Sequence, residues 1–122
     1  MSDKELVKEV LIQTVEAVDE IAERFEKIKT PEDFVTTQEG RIILDSICMK
    51  LLIIGEAVKK VDKRTKGELL PRYPQIPWTR VMGMRDIIAH HYFDLEERIV
   101  FGVCQDDLTE LRKTLAKMLE EI

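Results

Sequence analysis

The run Met84-Arg85-Asp86-Ile87-Ile88-Ala89-His90-His91-Tyr92-Phe93 holds both histidines of the chain, an arginine five residues before the first of them, and a tyrosine two residues after it. Arginine is a fixed cation whose planar fork suits phosphate, and histidine is the side chain that titrates near neutrality. Side by side they make a small kit for cutting a phosphodiester. RNA brings its own nucleophile, the 2′-hydroxyl. Cleavage then needs a base for that proton, a cation for the phosphorane, and an acid for the departing 5′-oxygen. His90 is the candidate for proton transfer and Arg85 for the phosphorane charge. One histidine cannot easily be acid and base in a single displacement, and a symmetric dimer would supply a second Arg-His pair across its two-fold axis.

The spacing sets limits on this chemistry. At about 100° per residue, Arg85 and His90 stand about 140° apart on a helix, so one side chain must lean toward the other. Asp86 and His90 are four apart and share a face. A carboxylate neighbour and a helix C-terminus both favour an imidazolium at His90. His91 points in another direction from His90, which leaves a thin ligand set, so no metal and no cofactor is expected. Arg-x4-His spacing also arises by chance, and a histidine near a helix end is an ordinary cap. Trp78 and Tyr73 are able to stack on bases, although packing of the connector against the helices is the expectation for both. Cys48 and Cys104 lie in apolar helical patterns without a C-x-x-C and read as buried thiols.

At 122 residues, with 44% apolar and 35% charged residues and few glycines or prolines, the chain is expected to form one helix-rich domain spanning 1–122. No apolar stretch approaches the roughly 20 residues that cross a bilayer, and the N-terminus lacks the apolar core of a signal peptide. A cytoplasmic location without membrane contact is the expectation. Net charge is −5, yet from Lys59 to Arg85 eight basic residues stand against two acidic ones. That segment is therefore +6 and the remainder −11. A local basic surface on an acidic protein can still hold a phosphate backbone, and Lys59, Lys60, Lys63, Arg64 and Arg80 are candidates for it.

Four helices are needed to position these groups. The first is expected from about Asp3 to Ile28, opened by Ser2 and Glu5 in capping-box spacing, with Leu6, Val10, Val15, Val18, Ile21, Ala22 and Phe25 as its apolar positions. Thr30-Pro31-Glu32-Asp33 predicts a short extra turn of helix. The second helix is expected from about Gln38 to Lys63. Its apolar residues wrap more than one face, so it is central to a bundle or also faces a partner subunit. Gly67, Pro71, Pro74 and Pro77 predict a rigid connector. A third helix is expected from Trp78 to His90, and a fourth after Asp94, capped by Asp94 with Glu97 three residues on. Leu95, Ile99, Val103, Cys104, Leu108, Leu111, Leu115, Met118 and Ile122 would give the fourth its stripe. The expected fold is all-α, an antiparallel four-helix bundle with a short extra helical turn, dimerising.

Ile54-Gly55-Glu56-Ala57, Tyr73-Pro74-Gln75-Ile76-Pro77-Trp78, Met82-Gly83-Met84-Arg85-Asp86 and His90-His91-Tyr92, in this order, resemble the HepT-like branch of the HEPN domain superfamily. The resemblance covers nearly the whole chain, and the family's R-x4-H-x-Y pattern is matched by Arg85, His90 and Tyr92. It implies a metal-independent endoribonuclease, the toxin of a type VII toxin–antitoxin pair, working as a homodimer on RNA. It implies as partner an MntA-like minimal nucleotidyltransferase antitoxin, which transfers AMP to the motif tyrosine, here Tyr92. Arg85 and His90 would then be catalytic. Two positions depart from the family pattern: Asp86 stands where asparagine is frequent, and His91 where a small residue is. Either is a possible supporting group at the site. A second reading is a non-catalytic subunit that binds nucleotide or substrate for a nucleotidyltransferase.

Overall fold

A computed structural model of the chain describes residues 2–94 and 96–122, with His91 and Tyr92 described by backbone alone. Helix α1 runs Asp3–Phe25 and α2 Gln38–Arg64; α3 (Trp78–Met82) and α4 (Met84–His91) follow the connector. Helix α5 (Glu97–Gly102) passes through a π-helical stretch, Val103–Asp107, into α6 (Leu108–Glu121). Single 3-10 turns occupy Pro31–Phe34, Leu70–Arg72 and Tyr92–Asp94. Among the described residues every regular element is helical. The all-α bundle that the sequence predicts is the fold observed: four rods, the third and fourth of them interrupted. Among the described residues, no helix is long and apolar enough to cross a membrane.

Ion pairs at both ends of the long helices fix their sense. Lys27, just after α1, lies 3.2 Å from Glu39 at the start of α2. Arg64 at the end of α2 lies 3.7 Å from Asp3 at the start of α1. The two helices therefore run antiparallel. Helix α6 packs on the other side of α1, where Arg112 Nε donates to Asp19 Oδ1 at 2.7 Å.

Helices α1 and α2 each open on a side-chain cap. Ser2 Oγ accepts from Glu5 N at 3.2 Å, and Thr37 Oγ1 accepts from Gly40 N at 2.9 Å. Asp33 Oδ2 takes two backbone N–H groups, from Lys29 and Thr30, which hold its carboxyl below the usual carboxylate range. That clamp seats the first 3-10 turn so that Phe34 is fully buried, 6.3 Å from the ring of Phe25. Phe25 in turn meets Phe101 edge-on at 5.1 Å. Helix α2 ends with Lys66 and Gly67 in left-handed conformation, φ 56° and 73°, while Gly67 N donates to Asp62 O and Lys66 N to Lys63 O. This is a Schellman closure, and it is what stops the helix.

Four expectations need correction. Helix α1 ends at Phe25, not Ile28, and its buried stripe is Val7, Val10, Leu11, Thr14, Ala17, Val18 and Ile21, with Ala22 exposed. The third helix is not continuous: it breaks at Gly83. The N-cap of α5 is Glu96 rather than Asp94, which closes a 3-10 turn, so the Asp94–Glu97 capping box does not form. The fourth rod is not uniformly α-helical. Eight α-helical residues from Val100 to Leu108 would rotate the stripe by about 80°, and the wider π turn absorbs the excess. Val100, Cys104, Leu108, Leu111, Leu115 and Met118 thereby all reach the core. Leu95 lies outside the described residues.

Candidate active site

Gly55 seats the corner that carries Arg85. It sits in the C-terminal half of α2, buried, under the junction of α3 and α4. A Cβ at this position would be 2.8 Å from Val81 O, 3.2 Å from Met84 Cβ and 3.8 Å from Arg85 N. The first contact is closer than side chains tolerate, so only glycine admits the corner at this depth. Trp78 at the start of α3 and Ile88 on α4 are buried and pin the corner from either side. The indole Nε1–H of Trp78 donates to Tyr73 O at 2.9 Å, and the Tyr73 hydroxyl donates to Glu121 at 2.7 Å. The connector is thus tied to α6. Both rings pack, as expected, and neither offers a face for a base. Burial, with the Glu121 hydrogen bond, pushes the Tyr73 hydroxyl up to about 12.

Helix α4 buries Ile88 and leaves Arg85, Asp86, Ile87, Ala89 and His90 exposed. Arg85 and His90 are on one helix of eight residues, separated by about 7.5 Å along its axis and about 140° around it. Asp86 shares a face with His90, and among the described residues no ion pair joins them. The side chains of His91, expected as a supporting group, and of Tyr92, expected as the acceptor of AMP, lie outside the described residues.

Arg85 Nη1 approaches Oε1 of Glu56 on α2 at 3.6 Å. The other oxygen of Glu56 lies 3.4 Å from Lys59 Nζ, is shielded from water and, among the described residues, takes no hydrogen bond. One carboxylate therefore stands between two cations. From sequence Lys59 is among the candidate RNA contacts and Glu56 has no assigned role. A charged residue beside a glycine in the middle of an apolar helical run is the signal available for it. Lys60 and Lys63 are exposed one and two turns further along α2 from Glu56, and Arg80 is exposed at the end of α3. Arg64 is held by Asp3, about 12 Å along the axis from Glu56. The basic segment accordingly divides into a group near the corner and a group at the end of α2.

Toward its other end α2 presents apolar surface. Ile42, Met49 and Ile53 are 60%, 58% and 42% exposed and fall within about 40° of one another around the helix. Lys60 and Glu56 continue that stripe. Ile87 on α4 is 44% exposed. Cys48 and Cys104 are free thiols, both buried, and burial raises them to about 11 and about 12. Both are protonated at neutral pH and make poor nucleophiles. Among the described residues no group of three or more His, Cys, Asp or Glu side chains is arranged to hold a metal ion.

The chain is thus an all-helical bundle that exposes Arg85 and His90 on one short helix. Residues 5–118 match the family described as ribonuclease HepT-like, and the chain belongs to that family. A "Putative RNase" of Methanocaldococcus jannaschii is 30% identical over 116 residues, 95% of this chain and 89% of that protein. A second protein of that organism, "Gamma-glutamylcyclotransferase and putative RNase", is 31% identical over 116 residues, and the chain spans 49% of its length. A "Probable ribonuclease HepT" of Thermococcus cleftensis is 29% identical over 111 residues, 91% of this chain and 94% of the other. No solved structure matches the chain.

Proposed function

We propose that the chain is an endoribonuclease of the toxin type, with Arg85 and His90 as its catalytic residues. The observation that carries this reading is the placement of both on one short helix that buries little besides Ile88 and hangs over Gly55. Family membership supplies the reaction class. In the displacement, the 2′-oxygen attacks phosphorus, the P–O5′ bond breaks, and a 2′,3′-cyclic phosphate remains. His90 takes the 2′-proton, Arg85 holds the phosphorane oxygens, and His90 of the partner subunit gives a proton to the 5′-oxygen. No divalent ion is required by this scheme.

The exposed stripe Ile42, Met49 and Ile53 supports the homodimer that the scheme needs, because it leads directly to the Glu56–Arg85 corner. Lys59, Lys60, Lys63 and Arg80 lie toward the same end of the molecule and would follow the RNA backbone. Regulation completes the proposal. A type VII antitoxin, an MntA-like nucleotidyltransferase, would join AMP from ATP to the Tyr92 hydroxyl with release of pyrophosphate. The added bulk and negative charge beside Arg85 and His90 would exclude an RNA phosphate.

The test is cleavage of single-stranded RNA by the purified protein in EDTA, with the ends analysed. Cyclic phosphate ends that vanish in Arg85→Ala and His90→Ala are the expected result. Full activity in His90→Ala would remove the mechanism. Absence of cleavage, with nucleotide binding intact, would favour a non-catalytic subunit that serves a nucleotidyltransferase. Intact-mass measurement after coexpression with such an enzyme, expected to show AMP units on Tyr92, tests the regulatory part separately.

A further inference from the structure

We propose that Glu56 is the residue that positions Arg85 toward RNA phosphate, an inference that rests on the ribonuclease reading above. Glu56 and Arg85 are far apart in sequence, and Gly55 brings them together. The main chain of Arg85 is set by the contact over Gly55, and its side chain meets the next residue of α2. Backbone and guanidinium of one residue are thus held by two consecutive residues of one helix.

The geometry of the contact says more. At 3.6 Å the Arg85–Glu56 approach is a charge contact outside the 2.7–3.2 Å range typical of a formed N–H···O bond. The second carboxylate oxygen, cut off from water, takes no hydrogen bond among the described residues although Lys59 Nζ is 3.4 Å away. Glu56 therefore has unused acceptor capacity in a place where leaving it unused is unfavourable. A guanidinium has five N–H donors, so a contact through Nη1 leaves the rest of the fork for another anion. The carboxylate fixes where that fork points and balances the mutual repulsion of Lys59 and Arg85.

A fixed negative charge beside the arginine has two opposite consequences. It opposes the arrival of an RNA phosphate in the ground state, because both anions compete for Arg85. It also keeps the guanidinium oriented when the phosphorane gains charge, which is when orientation counts for rate. Removing the charge should therefore tighten binding and slow the chemistry. A residue that only stabilises the fold has no reason to move these two quantities in opposite directions.

The experiment uses the full chain and two ligands: a short RNA for single-turnover cleavage and its fully 2′-O-methylated analogue, which binds without reacting. Glu56→Gln keeps the reach and removes the charge. We expect cleavage slowed about tenfold, equivalent to about 1.4 kcal/mol of barrier, with the analogue bound two- to fivefold more tightly, roughly the effect of losing one partly screened charge contact. Glu56→Asp keeps the charge and shortens the reach, so its rate should fall while its affinity for the analogue stays near that of the parent. The order parameter of the Arg85 Nε–Hε vector, read by 15N relaxation, should drop in both variants. Parent-like cleavage in both variants overturns the proposal, as does a change confined to affinity. Wild-type protein that neither cleaves the RNA nor binds the analogue would instead overturn the ribonuclease reading itself, a failure visible before any variant is made.

Discussion

Helix α2 is met by the backbone of another segment at two places, and the two are built differently. At Gly40 the carbonyl of Asp33 presses against the Cα so closely that a Cβ would collide with it. At Gly55 the carbonyl of Val81 stands 2.8 Å from the corresponding position. The first seat is reinforced on all sides by short hydrogen bonds: Thr37 to Gly40, and Asp33 to Lys29 and Thr30. The second is reinforced by an exposed charge contact of 3.6 Å and by Ile88 and Trp78 beneath it. One device, a glycine that admits a carbonyl, thus serves an anchor in one region and, in the other, the corner proposed to carry the chemistry. The anchor is over-tied and the corner is lightly tied, which is the expected distribution where side chains must rearrange around a ligand.

Gly40→Ala should give the largest effect. Neither the helix backbone nor the clamped Asp33 carbonyl has room to yield, and the loss should be about 3 kcal/mol, the upper part of the range for overpacking a close contact. Urea unfolding of the variant checks it, and a loss below half that size would mean that the 3-10 turn undocks at little cost.

At Gly55 two terms oppose each other. Overpacking against Val81 O costs about 1–3 kcal/mol, while alanine gains about 1 kcal/mol over glycine inside a helix. A net destabilisation of about 1 kcal/mol is expected for Gly55→Ala. The corner should relieve the contact by lifting, which carries Arg85 away from Glu56. Cleavage should therefore fall at least about tenfold, more than the fraction unfolded explains. An activity loss that only tracks stability would erase the difference between the two seats.

Much of this was legible in the residues. The bounds of α2, the Ser2 cap of α1, the Pro31 turn and the connector from Thr65 to Pro77 all follow from local signals that act within a few residues, although the Glu5 carboxylate accepts from the Ser2 hydroxyl and not from its backbone N–H, so the expected box is only half formed. What was not legible depends on what lies across the bundle. The break at Gly83 makes sense only once α2 is known to receive Val81 and Met84. The π turn at Val103–Asp107 answers a phase mismatch that the stripe from Val100 to Met118 creates, and a stripe read by eye tolerates that mismatch. The sequence placed Arg85 and His90 on one helix, and the structure agrees. Glu56 was visible as part of a resemblance, but its approach to Arg85 is a tertiary fact across 29 positions of sequence. Lys59, Lys60, Lys63 and Arg64, in the last turns of α2, look equivalent in sequence; Asp3 pairs with Arg64 and Glu56 with Lys59.

The connector supplies a smaller effect, away from both seats. Tyr73→Phe removes the hydrogen bond to Glu121, whose carboxylate stays accessible to water, so about 1 kcal/mol is expected at pH 7. The hydroxyl ordinarily titrates near 10 and is raised to about 12 in the fold, first by burial. A folded state that holds the proton more tightly has this contribution in full below pH 10 and loses it as pH rises toward 12. Parent and variant stabilities should therefore converge over that interval. The thiols of Cys48 and Cys104, also raised, begin to weaken both proteins alike above about pH 9. Urea midpoints at pH 7, 9 and 10.5 separate the two contributions, and a constant gap between parent and variant would show that the Tyr73 hydroxyl is not held neutral by the fold.

The end of α2 turns the comparison around. Gly40 and Gly55 have ordinary helical torsions and are glycine for want of space. Lys66 has the left-handed torsion, φ 56°, that glycine adopts freely, and it carries a full side chain. Its backbone N–H is already used in the Schellman closure, and the side chain is exposed. Lys66→Gly should remove torsional strain of about 1 kcal/mol, offset by the larger backbone entropy of glycine in the unfolded chain. The expected outcome is a gain of about 0.5 kcal/mol, seen as a small rise in urea midpoint. The substitution lies beyond the corner and should leave cleavage unchanged. A rise in stability with a fall in cleavage would mean that Lys66 touches RNA, and the basic group at the end of α2 would then belong to the site.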